Sequence, residues 1–222
     1  MSFSKIAFLG TGLMGEPMCK NLLKANLPLT VWNRSIDKTH ELKNLGAEVA
    51  SSPHDAVKGA EVIITMLSDG AAVYDLIFKQ NVAKNICNNA THIDMGSIGA
   101  HEAIEHSKKH IIKGINYLDA PVSGGTKGAE AGELAIMAGG KEKSFLAMHD
   151  VFTPMGHSTF VGPNGCGQLA KLANQVIVAI TIGAVSEALI LAGKGGADRG
   201  KYEKHYKEDL LQVEYFQNMD NE

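Results

Sequence analysis

Cysteine is scarce in this 222-residue chain: Cys19, Cys87 and Cys166 stand far apart, and no CxxC pair occurs. Neither a disulfide framework nor a thiolate zinc site is therefore expected. The three read as buried thiols in a reducing compartment. A basic excess is also missing. Lys and Arg number 21 against 24 Asp and Glu, a formal net charge of −3, which argues against a general nucleic-acid binder. Proline is limited to 6 residues, and no repeat or low-complexity run appears. With 45% hydrophobic residues, disorder is excluded and a sizeable core is expected. No signal peptide is read ahead of the first apolar run, Lys5-Ile6-Ala7-Phe8-Leu9, so a cytoplasmic protein is expected. The most apolar stretch, Val176 to Gly193, contains Thr181, Ser186 and Glu187. It is expected to be a helix buried in protein, not a membrane span.

The length falls between one domain and two. In the first half, β-rich runs alternate with helical patterns. Ile6–Leu9, Leu29–Trp32, Val62–Met66 and His92–Met95 read as buried strands. Met14–Ala25, Ile36–Leu45 and Ala71–Phe78 suit amphipathic helices, and Pro53–Gly59 opens with Pro after Ser51-Ser52, a helix start. Further strands are expected at Ile115–Asp119 and Leu134–Ala138. Such alternation predicts an α/β fold with a parallel sheet and helices on both faces. The pattern breaks at Gly162-Pro163-Asn164-Gly165, so a Rossmann-type domain is expected over 1–163. A long helix from about Gly167 to Gly193 and a truncated all-α region are expected over 164–222. The charged run Lys201–Glu214 reads as a solvated helix face.

Gly10-Thr11-Gly12-Leu13-Met14-Gly15 matches G-x-G-x-x-G directly after a strand and directly before a helix, the context that motif requires. The first Gly permits the tight turn and the second lets a pyrophosphate approach the backbone. The third allows close helix–strand packing, with the helix N-terminus facing the negative charge. A plain strand-to-helix turn or a methyltransferase-type nucleotide site would share the pattern. The second strand runs into Asn33-Arg34-Ser35, where an NAD-preferring site would carry Asp or Glu. Here the carboxylate is missing. Arg34 can pair bidentately with a ribose 2′-phosphate, helped by the Ser35 hydroxyl. NADP(H) is therefore the expected cofactor, with NAD as the alternative and an ordinary solvent-facing Arg34 as the plainer reading. Met66 and Leu67, at the end of the Val62–Met66 strand, join the expected cofactor set.

Asp119-Ala120-Pro121-Val122-Ser123-Gly124-Gly125 follows a strand, and adjacent glycines leave backbone N–H groups free to surround a carboxylate. An ordinary Ser-Gly turn is the alternative. Ser123 lacks the G-x-S-x-G elbow of a nucleophile, and a Ser–Lys hydrolase would leave the glycine loop unexplained. Lys171, Asn174 and Gln175 share one face early in the long helix. Lys171 could donate a proton to a carbonyl oxygen as hydride arrives, or simply snorkel to water. His92, His101, His106, His110, His149 and His157 show no ligand spacing and read as surface or locally bonded residues. Asp94 reads as structural, fixing the next turn. No metal site is expected.

Three stretches together resemble the β-hydroxyacid dehydrogenase family, the group containing 3-hydroxyisobutyrate dehydrogenase and tartronate semialdehyde reductase. They are Phe8 to Met18 with Asn21-Leu22 and Asn33-Arg34; Asp119 to Gly140; and Gly165 to Ala192. The resemblance implies an NAD(P)-dependent oxidoreductase acting on a small 3-hydroxy acid or its semialdehyde. It implies Lys171 as general acid or base, and Ser123 with Gly124 and Gly125 as the carboxylate clamp. Gln175 stands beside Asn174 where many members have a second Asn. Members contact the nicotinamide from a Ser-Thr pair after the fifth strand; here Gly96 and Ser97 occupy those places, so Ser97 keeps a hydroxyl. The family normally continues beyond Arg199 with a helical domain that closes the site and builds the oligomer. Here only Gly200 to Glu222 follow, and Lys207, in His205-Tyr206-Lys207-Glu208-Asp209-Leu210, is assigned to the cofactor set by this resemblance. The expected partners are a small carboxylate-bearing substrate and further copies of the chain, with neither nucleic acid nor membrane. A catalytically weak dinucleotide-binding protein with a sensing or scaffolding role is the competing expectation.

Overall fold

The protein was analysed as a computed structural model, which describes residues 3–198, 200–202 and 204–205. In chain order the elements are β1 (Ile6–Leu9), α1 (Gly15–Lys24), β2 (Leu29–Trp32), α2 (His40–Asn44), β3 (Glu48–Val49), α3 (Pro53–Val57), β4 (Val62–Thr65), α4 (Gly70–Tyr74) and β5 (Thr91–Asp94). There follow α5 (Ala100–Ile112), β6 (Asn116–Asp119), β7 (Val122–Ser123), α6 (Gly125–Ala131), β8 (Leu134–Gly140), α7 (Glu142–Ala147), α8 (His149–Phe152), β9 (Gly156–Gly162) and α9 (Cys166–Lys194). The chain divides into two compact units, Met1–Leu172 and Ala173–Glu222, so the division falls inside α9.

In the first unit the strands lie in the order β3-β2-β1-β4-β5-β6-β8-β7, with β9 paired to β8. From β3 to β6 every pairing is parallel; β8 runs antiparallel to β6 and β7. Every residue of β1, β4 and β5 is buried, as expected of parallel strands covered on both faces. Alternation divides each strand between two cores: Ile6 and Phe8 pack on one face with Met18 and Leu22 of α1, Ala7 and Leu9 on the other with Ala56 and Val57 of α3. The sheet order reverses between β1 and β4, which places a crevice beyond their C-terminal ends.

Local chemistry explains the helix starts. Pro53 stands at the first position of α3, and the Ser52 hydroxyl accepts the Asp55 N–H at 3.1 Å. The Asp69 carboxylate accepts the Ala72 N–H at 2.8 Å at the start of α4. The expected helix Ile36–Leu45 is a 3-10 turn, Ile36–Thr39, followed by α2. The one expected over Ala71–Phe78 is α4 continued by a π-helical turn, Asp75–Lys79.

Four expectations need correction. Of the three cysteines only Cys19 is buried; Cys87 is exposed and Cys166 half-buried. Helix α5 was not anticipated, because its buried face is Ala103, His106, Ser107 and His110, and polar residues hide a hydrophobic period. His92, His106 and His110 are buried, not on the surface, although His92 and His110 are locally bonded as the other half of that expectation had it. In α9 only Gly167 and Gln168, near its start, are buried among the described residues. The helix is long and apolar enough, by length and composition, to cross a membrane, with a window of mean hydropathy 2.2 of which none is buried. In the second unit Val176, Ile180, Ile182 and Leu191 of this helix are exposed, so the expected burial is not provided within the described residues.

Candidate active site

The glycine loop closes the end of β1. Gly10 has φ +106°, and a Cβ there would collide with the Met66 carbonyl; a Cβ on Gly15 would collide with the Gly10 carbonyl. A Cβ on Gly12 would meet nothing within 4 Å. The loop therefore presents bare backbone toward open space at Gly12 while Gly10 and Gly15 make the strand–helix approach possible. Asn33 fixes its shape: the side-chain oxygen accepts the Thr11 N–H at 3.1 Å, and the side-chain amide donates to the Ser35 carbonyl at 3.0 Å. The Thr11 hydroxyl donates to the Lys38 carbonyl at 3.0 Å.

A cleft of about 370 Å³ opens over this loop between the ends of β1, β2 and β4. It brings together Gly10, Gly12, Asn33, Arg34, Ser35, Met66 and Leu67. Arg34 and Ser35 are exposed, and so is Lys38, a second cation on the same wall that sequence reasoning missed. Its spacing, four residues after Arg34, was the available signal. Ser68 and Gln80 also line the cleft without having been anticipated. Leu13, Met14 and Gly15 do not line it: Leu13 is exposed beside Pro17 and Thr126, Met14 packs on the core, and Gly15 is buried within the turn. A wider cleft of about 600 Å³ opens at the starts of β5 and β6, beside Cys87, Asn88 and Lys141. It holds none of the expected site residues and lies at the strand ends opposite to those where open parallel sheets bind ligands.

The second part of the site forms where α9 begins. Asp119, at the end of β6, is buried and accepts the Gly165 N–H at 2.8 Å and the Gln168 N–H at 3.1 Å. Burial pushes its carboxyl up in pKa, against those two hydrogen bonds. Gln168, 1% exposed, accepts the Ile98 N–H at 3.1 Å and donates to the Gly96 carbonyl at 2.9 Å. One side chain thus grips both sides of Ser97, which is left exposed. Lys171 follows Gln168 by three residues on the same helix, and partial burial lowers its ammonium pKa. Ser123 ends β7, and Gly124 and Gly125, with φ +126° and +61°, lead into α6. Asn174 and Gln175 belong to the second unit. Lys207 lies outside the described residues.

Beneath the Gly96–Ser97 turn runs a buried polar column. Tyr117 donates to Asp94 Oδ2 at 3.1 Å, and Thr65 Oγ1 lies 3.0 Å from Asp94 Oδ1. His92 Nε2 lies 2.9 Å from that hydroxyl, and His92 Nδ1 lies 2.8 Å from His110 Nε2. His110 Nδ1 meets the His106 carbonyl at 2.7 Å.

Comparison with known proteins matches two family models: the NAD binding domain of 6-phosphogluconate dehydrogenase over residues 5–162, and the NAD-binding of NADP-dependent 3-hydroxyisobutyrate dehydrogenase over residues 165–206. The 2-hydroxy-3-oxopropionate reductase of Escherichia coli K12 is 40% identical over 87% of this chain and 67% of its own length. The mitochondrial 3-hydroxyisobutyrate dehydrogenase of Rattus norvegicus is 35% identical over 89% of this chain and 59% of its own. Among solved structures, the Mycobacterium tuberculosis 3-hydroxyisobutyrate dehydrogenase with L-serine superposes with a TM-score of 0.85 at 35% identity, covering 89% of this chain and 67% of that one. The chain therefore spans roughly three-fifths to two-thirds of the length of these relatives.

Proposed function

The chain belongs to the β-hydroxyacid dehydrogenase family, and from that premise we propose that it acts as an NADP(H)-linked oxidoreductase. Its substrate would be a small 3-hydroxy acid or the matching semialdehyde, as in 2-hydroxy-3-oxopropionate (tartronate semialdehyde) reductase or 3-hydroxyisobutyrate dehydrogenase. The observation that carries this reading is Gln168, which ties the Gly96–Ile98 loop to the helix turn bearing Lys171. That link fixes a cofactor-side hydroxyl and a proton-donating ammonium on one frame.

Bound NADPH supplies a hydride. The chain does the rest. The Gly10–Gly15 backbone and the start of α1 face the pyrophosphate. Arg34, with Ser35 and Lys38, takes the 2′-phosphate, and this cationic wall supports NADP(H) over NAD(H). Met66 and Leu67 flank the cleft, and Ser97 contacts the nicotinamide side. Ser123, Gly124 and Gly125 hold the substrate carboxylate through a hydroxyl and backbone N–H groups. Lys171 gives its proton to the carbonyl oxygen, and burial makes that proton easier to release. Asn174 and Gln175 are assigned to the substrate, and Lys207 to the cofactor, by the family resemblance alone.

The test is the initial rate of NADPH oxidation with tartronate semialdehyde, for wild type and for Lys171→Ala. A clear wild-type rate that falls by about a hundredfold or more in the variant supports the reading, in line with the usual worth of a positioned general acid. Wild-type turnover retained in Lys171→Ala removes Lys171 from the mechanism. The apolar face of α9, exposed among the described residues, favours a second reading, a catalytically weak dinucleotide-binding protein with a sensing or scaffolding role that associates with another chain. Sedimentation tests it: a monodisperse monomer counts against association.

A further inference from the structure

The buried column under the cofactor loop has a direction. His110 Nδ1 faces the His106 carbonyl, and a carbonyl only accepts, so His110 Nδ1 carries the hydrogen. In a neutral His110 the other nitrogen is bare and accepts from His92 Nδ1. A neutral His92 is then bare at Nε2 and accepts the Thr65 hydroxyl hydrogen. Thr65 has one hydrogen, now committed, so its contact with Asp94 Oδ1 closes as a hydrogen bond only if Asp94 is the donor. Asp94 Oδ2 remains an acceptor for Tyr117, as a protonated carboxyl requires.

The other assignment with the same number of protons places an imidazolium at His110 and a carboxylate at Asp94, separated by Thr65 and His92. Both groups are fully buried. Two such charges out of contact carry a desolvation cost that the neutral assignment avoids. His106 cannot take the charge either, because its Nδ1 is buried with no hydrogen-bond partner.

We propose that Asp94 is a neutral carboxylic acid heading a one-way hydrogen-bonded chain, Asp94 to Thr65 to His92 to His110 to the His106 carbonyl, and that it is a positioning residue for the Gly96–Ser97 turn. The Gly96 N–H points at Asp94 Oδ1 at 3.4 Å, so a charge arriving on that oxygen pulls directly on the turn. That the turn faces the nicotinamide rests on the function proposed above; the protonation of Asp94 does not.

The electrostatics agree. Burial pushes the Asp94 carboxyl up to about 7, against the Tyr117 hydroxyl and the Gly96 N–H that point at it, with Asp119 adding to the rise. Burial pushes His92 far down and His110 down to about 4. The charged and titratable groups around the column are Tyr117 and Asp119 of β6, Glu102, His106 and Lys109 on α5, and Lys113 just after it. On the α4 side Tyr74 and Phe78 pack on His106 and Phe78 on His110. A carboxyl whose pKa rises on folding contributes stability in full below its unfolded value of about 4. That contribution is lost as pH climbs toward the folded value of about 7.

The test is infrared difference spectroscopy of wild type against Asp94→Asn, read from about pH 5 to about pH 9 without cofactor, across the range where a raised carboxyl titrates. Expected is the carbonyl stretch of a protonated carboxyl at low pH, lost as pH rises and absent from the variant. Asn copies the neutral acid, its NH₂ donating to Thr65 and its oxygen accepting from Tyr117. The variant should match wild-type stability near pH 4, where the wild-type carboxyl is neutral folded and unfolded, and should lack the decline between about pH 4 and about pH 7, whereas Asp94→Ala should be destabilised throughout. NADPH affinity should weaken with rising pH in wild type more than in Asp94→Asn. No carboxyl band at any pH, or a parallel pH dependence of NADPH affinity in both proteins, overturns the proposal. Failure of tartronate semialdehyde turnover would bear on the proposed substrate alone, because the band is read with neither substrate nor cofactor.

Discussion

Gln168→Leu is the perturbation that most directly probes how the site is held. The side chain is 1% exposed and makes two hydrogen bonds, from the Ile98 N–H at 3.1 Å and to the Gly96 carbonyl at 2.9 Å. Leu has similar bulk and no polar atom, so both backbone groups lose their partner with little change in packing. Each unsatisfied buried group costs about 1–3 kcal/mol. The added apolar surface returns about 1 kcal/mol, so the expected net loss is about 1–5 kcal/mol, set against a typical stability of about 5–15 kcal/mol. Urea unfolding measures it, as a lower midpoint at unchanged slope. Gln168→Glu sharpens the test. Its ionised form accepts from Ile98 but turns a second oxygen on the Gly96 carbonyl, whereas its acid form copies the amide. The Glu variant should therefore regain stability as pH falls. A Leu variant within about 0.5 kcal/mol of wild type, the range of surface substitutions, would refute the reasoning.

Other sites yield equally definite outcomes. Arg34→Ala should weaken NADPH binding about 10–100-fold, the worth of one charge-assisted phosphate pair, while leaving NADH within about twofold; fluorescence titration reads both, and a parallel loss would remove Arg34 from discrimination. Lys38→Ala should act in the same sense with a smaller effect, since Lys is a point charge without a bidentate fork. Gly15→Ala forces a Cβ onto the Gly10 carbonyl, which is backbone and cannot step aside. It should cost about 2 kcal/mol or more and abolish NADPH binding, as strained or overpacked substitutions do. Asp119→Asn keeps the shape but turns an NH₂ toward one of two backbone donors, Gly165 or Gln168. A loss of about 1–3 kcal/mol in urea unfolding is expected, and no loss would mean that one of those hydrogen bonds is dispensable.

How much of this was legible in the sequence depends on how local each feature is. The glycine loop was legible because strand, turn and helix are contiguous and each glycine has a separate steric reason. The parallel sheet was legible because β1, β2 and β4 are apolar at nearly every position. Gln168 sits within the stretch that drew attention to Lys171, yet its partners lie 70 and 72 residues away in the chain, a pairing that leaves no local period. The His column failed for the opposite reason. His92, His106 and His110 look like scattered polar residues until β5 and α5 are laid side by side, and only then does their spacing form a path.

The two grips on the Gly96–Ile98 loop also explain how the chain keeps a reactive turn in place without giving it a large side chain. From below, Asp94 reaches the Gly96 N–H; from above, Gln168 takes the Gly96 carbonyl and the Ile98 N–H. Ser97 lies between them with its side chain exposed while the backbone on either side is fixed. Held this way, the turn depends on distant side chains for its backbone conformation, and its own residues are left to meet the ligand. The Arg34 wall works by the reverse rule: Asn33 holds the backbone locally, through Thr11 and Ser35, and the exposed cations are left free for the dinucleotide discrimination proposed above. Under the proposed function, reaction geometry would be set by buried polar groups and choice of cofactor by exposed ones, so the first should resist change in salt and the second should weaken with it.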